Sequence, residues 1–156
     1  MRLNITGIAV TLLLAVFSAG NVHAAPLPEV VTKLVAEAKT KVTTIDMENF
    51  RKVIDIKAYD FIIDVREPDE YASGHVPGAI NIPRGVIEFR IWALVGYPDS
   101  TNTGMRIYTY CKTGSRCALA ARSLQDLGFS DVTAVDMKLA DWLNAGHPLS
   151  YPILDF

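Results

Sequence analysis

The sequence predicts a three-layer α/β domain: a mostly parallel central sheet of about five strands with helices on both faces. Three observations carry this. Short apolar β-rich runs alternate with amphipathic or capped segments along the chain, the pattern of a sheet whose crossovers are helical. The runs are nearly continuous in apolar residues, as strands buried on both faces require. The chain has 156 residues, 50% of them hydrophobic and only 2 of them Cys, enough for one core and too few cysteines for a disulfide scaffold.

The elements follow in order. Residues 28–41 place Val30, Val31, Leu34, Val35 and Ala38 at helical spacing. Residues 42–45 form a short strand, and Asp46 is positioned to cap a helix over about 47–54. Residues 61–65 (FIIDV) are a buried strand closed by Pro68. A short helix near 69–72, a turn at 74–78 and a strand over 79–82 come next, and 86–95 predicts a helix. A polar loop over 96–104 leads to a strand at 107–111, a helix at 117–127 stopped by Gly128, and a strand at 132–135. A last helix over 139–145 ends at Gly146, with Pro148 beyond it. The aromatic residues Phe89, Trp92 and Tyr97 are expected to join the core rather than to form a partner-docking surface.

Residues 1–24 are expected to be a cleaved export signal rather than part of the fold. Arg2 supplies a cationic start, 5–17 is apolar apart from Thr6, Gly7 and Thr11, and Val22-His23-Ala24 ends the segment with a cleavage pattern. The apolar run is shorter than the roughly 20 residues that span a bilayer. Stable membrane insertion is therefore not expected after cleavage, and the mature protein is expected in the periplasm or outside the cell. Residues 25–41 are then an N-terminal helix or linker, and 42–156 the domain. The formal charge is −2, which argues against a nucleic-acid partner, since that needs clustered Lys and Arg. Without CxxC or HxxxH spacing, no metal is expected and no cofactor is implied; His147 before Pro148 reads as a surface turn residue.

The chemistry concentrates where a strand runs into a loop. Cys111 ends the 107–111 strand, and Lys112-Thr113-Gly114-Ser115-Arg116 opens directly into a helix. Gly114 permits a positive φ. Successive N–H groups then form an anion-binding nest at the helix start. With Lys112 and Arg116 beside it, such a nest favours the Cys111 thiolate and an incoming oxyanion. Acyl transfer by Cys needs a His base, yet His75 and His147 lie in other segments.

This loop, a Cys-x-x-Gly-x-Arg pattern, resembles the active-site loop of rhodanese-like sulfurtransferases. Asp64-Val65-Arg66-Glu67 through Glu70-Tyr71 and then Gly74-His75-Val76-Pro77-Gly78-Ala79-Ile80-Asn81-Ile82-Pro83 resembles the family's upstream signature, and Trp142–Pro148 is a third, weaker match. The resemblance covers about residues 42–150. It implies that Cys111 becomes a persulfide, that the backbone from Lys112 to Arg116 cradles it, and that Lys112 and Arg116 orient an anionic donor. It gives Asp64, Arg66 and His75 supporting roles. The implied reaction is ping-pong, with thiosulfate or a related sulfur donor and a cyanide or thiol acceptor, and a protein donor or acceptor is compatible with it.

Where many relatives carry Gly-Gly after the last strand, this chain has Met137-Lys138. Three rivals stay open. One is a Cys-loop phosphatase or arsenate reductase, whose loop usually has five residues between Cys and Arg, against four here. Another is dithiol redox chemistry with Cys117 as resolving thiol, against the alternative that Cys117 simply packs in its helix. The last is a sulfur carrier that serves a partner protein without turning over thiosulfate.

Overall fold

The computed structural model describes residues 26–152; the expected export signal lies outside them. Five parallel strands form one sheet in the order β1-β5-β4-β2-β3: β1 (Thr43–Ile45), β2 (Phe61–Asp64), β3 (Ala79–Asn81), β4 (Ile107–Tyr110) and β5 (Val132–Val135). The helices are α1 (Glu29–Lys41), α2 (Met47–Asp55), α3 (Pro68–Ala72), α4 (Ile87–Arg90), α5 (Ser115–Asp126) and α6 (Leu139–Asn144). In the strands, alternate residues face opposite ways, and the core divides accordingly. Ile63, Val65, Ile107 and Cys111 pack with Ala38 of α1, Ile87 of α4 and Leu124 of α5. Ile62, Tyr108 and Tyr110 pack with Phe50 of α2 and with Leu139 and Trp142 of α6.

Local chemistry explains the boundaries. Asp46 caps α2 by accepting from the Asn49 N–H at 2.8 Å, and α3 starts with Pro68 behind a reciprocal capping box between Glu67 and Glu70. Gly128, at φ +93°, closes the turn after α5. Far from trailing away as a linker, α1 buries Ala38 in the core and joins the body through an ion pair, Lys39 Nζ to Asp136 Oδ1 at 2.6 Å.

The 86–95 segment departs from the expected single helix. It is a four-residue α4 flanked by 3₁₀ turns at Arg84–Val86 and Ile91–Ala93. Ile87, Ile91 and Val95 are buried at helical spacing, so the periodicity is present. However, the Trp92 indole Nε1 donates to the Glu88 carbonyl at 2.8 Å, the acceptor an α-helical Trp92 N–H would use. The expected core placement of the aromatics also needs correction. Phe89 and Tyr97 are 80% and 64% exposed, and only Trp92 is half-buried, against Phe129. Buried positions in this segment are taken by aliphatic side chains. His147 is likewise half-buried rather than a free surface residue: its ring lies 4.5 Å from that of Trp142.

Candidate active site

Residues 111–116 leave the C-terminal end of β4, the central strand of the sheet, at the rim where open α/β folds bind ligands. Gly114 adopts φ +80° and caps α5. A Cβ there would meet Asp136 Oδ1 at 2.6 Å, so both conformation and space demand glycine. Lys112 O accepts from the Leu139 N–H at 3.0 Å, which ties the loop to α6.

Cys111 is 1% exposed, and its surroundings favour the anion. Its pKa is lowered from 9.0 to about 5 by the Cys117 side chain first, against burial, and then by the N–H groups of Thr113, Cys117 and Gly114. The Thr113, Gly114 and Cys117 N–H groups thus favour the anion of a thiol that barely reaches the surface. Cys117 is fully buried, its thiol pushed well upward by hydrogen bonding to Cys111 and by burial. Its Sγ also lies 3.4 Å from Val135 O. One proton serves one acceptor at a time, and an ionised Cys111 is the stronger of the two. Both cysteines are free thiols.

Arg116 is paired with a carboxylate rather than standing free at the loop. Its Nη1 and Nη2 donate to Glu70 Oε2 and Oε1 at 2.7 and 2.9 Å. The Glu70 carboxyl is held below its usual range by this pair, and the guanidinium joins α5 to α3. Lys112 is exposed, with no ion pair among the described residues.

Asp64 and Arg66 form a buried pair with two-pronged contact, Nη2 to Oδ2 at 2.6 Å and Nε to Oδ1 at 3.0 Å. Arg66 Nη2 also donates to Gly74 O, and the Tyr110 hydroxyl donates to Asp64 Oδ2 at 2.6 Å while accepting from the Val76 N–H at 3.0 Å. His75 is buried, its ring stacked on Tyr71 at 3.7 Å and its backbone bridged to Ser150. These contacts hold the frame of the site. Glu70 and Tyr110 are the partners that sequence reasoning missed. Glu70 stands in the upstream signature with no sign of its reach to Arg116, and Tyr110 reads as one more apolar strand residue.

A cavity of ≈ 340 Å³ adjoins the loop. Arg66, Glu70, Lys112 and Thr113 line one side, and Lys138, Leu139 and Leu143 another. Cys111 itself, Gly114, Ser115, Arg116 and His75 are not among its lining residues, so the cavity reaches the loop through Lys112 and Thr113, next to Cys111 in the chain.

The parallel α/β fold carries at the end of its central strand a cysteine whose surroundings favour the thiolate. The chain belongs to the rhodanese-like family: the Rhodanese-like domain matches residues 46–145, within a family of sulfurtransferases and sulfur carriers. It is 33% identical to the Bacillus subtilis protein "Putative sulfur carrier protein YrkF" over 69% of this chain and 54% of that protein. It is 39% identical to the Escherichia coli thiosulfate sulfurtransferase PspE over 45% of this chain and 62% of the relative. The chain thus spans between half and two thirds of these relatives. Among solved structures, a Rhodopseudomonas palustris protein of unknown function, described as a possible tyrosine phosphatase, superposes with a TM-score of 0.66 at 26% identity, covering 82% of this chain and 99% of that one.

Proposed function

We propose that the protein is a sulfurtransferase in which Cys111 takes a sulfane sulfur from thiosulfate or a related donor and passes it to cyanide or a thiol. The Cys111 thiolate attacks the outer sulfur of thiosulfate, the S–S bond of the donor breaks, and sulfite leaves with the electron pair. Cys111 persulfide remains, and an acceptor nucleophile then attacks its terminal sulfur and restores the thiolate. The observation that carries this reading is the convergence of the Thr113, Gly114 and Cys117 N–H groups on a thiol whose pKa is lowered to about 5. A persulfide keeps the same negative charge one bond further out, where the same donors stabilise it.

The Glu70–Arg116 pair weighs against a phosphatase. With four residues between Cys111 and Arg116 and the guanidinium held by a carboxylate at 2.7 Å, Arg116 is not free to clasp a tetrahedral phosphate. Mass spectrometry of the Cys111 peptide after thiosulfate treatment tests the proposal. A gain of about 32 Da, one sulfur on the thiolate, is expected; a loss of about 2 Da would mark a Cys111–Cys117 disulfide instead. Repeated thiocyanate formation from thiosulfate and cyanide separates an enzyme from a sulfur carrier. The proposal includes export, which N-terminal sequencing of the mature protein checks: the first residue is expected to be Ala25.

A further inference from the structure

The cavity beside the loop is unlike a site for a small inorganic ion. Its ≈ 340 Å³ falls in the range of pockets for organic ligands. One wall is apolar, made by Leu139, Ala140 and Leu143 of α6, with Leu143 49% exposed. Two cations stand at its rim, Lys112 on the loop and Lys138 immediately before α6, both exposed and neither in an ion pair among the described residues. The other charged lining groups are already committed, Arg66 to Asp64 and Glu70 to Arg116. Cyanide would use none of the apolar wall and at most one of the lysines.

We propose that this cavity selects the acceptor: a small organic thiol with an apolar body and a carboxylate, the body lying on Leu139 and Leu143 and the carboxylate pairing with Lys138. Lys138, at the position where the last strand hands over to α6, is then a specificity-determining residue. The inference rests on the persulfide reading above. Transfer moves the reactive atom one S–S bond, about 2.0 Å, beyond the nearly sealed Sγ. The acceptor thiolate attacks that terminal sulfur, a new S–S bond forms on the acceptor, the Cys111–sulfur bond breaks, and the electron pair returns to Cys111 as thiolate. The acceptor leaves as a persulfide anion, so charge and sulfur both balance.

The test is single-turnover discharge of the thiosulfate-loaded full-length protein, followed by loss of the added sulfur from the Cys111 peptide. Mercaptobenzoate, benzenethiol and cyanide serve as acceptors. Loading precedes acceptor addition, so effects on the donor do not enter. Lys138→Ala should slow discharge by mercaptobenzoate about 2- to 5-fold, the worth of a partly exposed ion pair, with benzenethiol unaffected, and Lys138→Arg should restore it. Leu143→Ser should slow both aromatic thiols while leaving cyanide unchanged. Equal effects of Lys138→Ala on mercaptobenzoate and benzenethiol, or a loaded protein that discharges to cyanide and ignores Leu143→Ser, would overturn the acceptor assignment and leave the persulfide reading standing. Failure to load at all would instead strike the persulfide reading.

Discussion

At the scale of single residues, burial and ionisation pull Cys111 in opposite directions. An enclosed thiol ordinarily holds its proton, because desolvation penalises the charged form. Here the Cys117 hydrogen bond and three backbone N–H groups outweigh that penalty and bring the pKa to about 5. Ultraviolet absorbance of the thiolate, taken as wild type minus Cys111→Ser, should therefore titrate near pH 5. Replacing Cys117 by Ala should move the midpoint upward, and Cys117→Ser, which keeps a donor, should move it less. The sign for stability follows. The folded-state pKa lies below the usual 9.0, so the thiolate's contribution is complete above pH 9 and is lost as pH falls toward 5. The sequence made Cys111 and its glycine loop legible because those residue types are local and adjacent. It did not disclose where Arg116 points, because its partner, Glu70, lies 46 positions away.

At the scale of elements, the loop is shaped from both sides. Gly114 turns at φ +80° against Asp136, and Asp136 is held in turn by Lys39 from α1. Gly114→Ala should destabilise the protein by at least about 1 kcal/mol, the usual cost of a left-handed L-residue. It should also raise the Cys111 pKa by turning the N–H groups aside; denaturant unfolding and the same thiolate titration read the two effects. Most element positions were legible from periodicity, with β5 expected at 132–135 and found at Val132–Val135. The 86–95 segment was not: it is one short α-helical stretch between 3₁₀ turns, with the Trp92 indole bonded to the Glu88 carbonyl. The apolar spacing of Ile87, Ile91 and Val95 does not tell these turns from a continuous helix.

At the scale of the whole molecule, the Asp64–Arg66 pair and the Tyr110 hydroxyl lock β2, β4 and the turn at Gly74 together. Asp64→Ala would leave the Arg66 charge uncompensated in the interior. A loss of about 3–5 kcal/mol is expected, read as a lower denaturant midpoint. The alternation of strands and helices made the layer architecture legible. Strand order was not legible, since it depends on which buried faces meet, and the Asp64 network shows its meaning only once β2 and β4 are neighbours.

That order puts β4 between β5 and β2, so the strand delivering Cys111 has a bonded neighbour on each side and no free edge. Its amides should exchange with deuterium only when the entire domain opens, and those of β1 and β3, at the margins, should exchange through smaller fluctuations. If β4 amides exchanged as fast as those of β3, the nucleophile would ride on a segment able to detach by itself. With slow exchange there, heat inactivation should follow global unfolding in a single cooperative step.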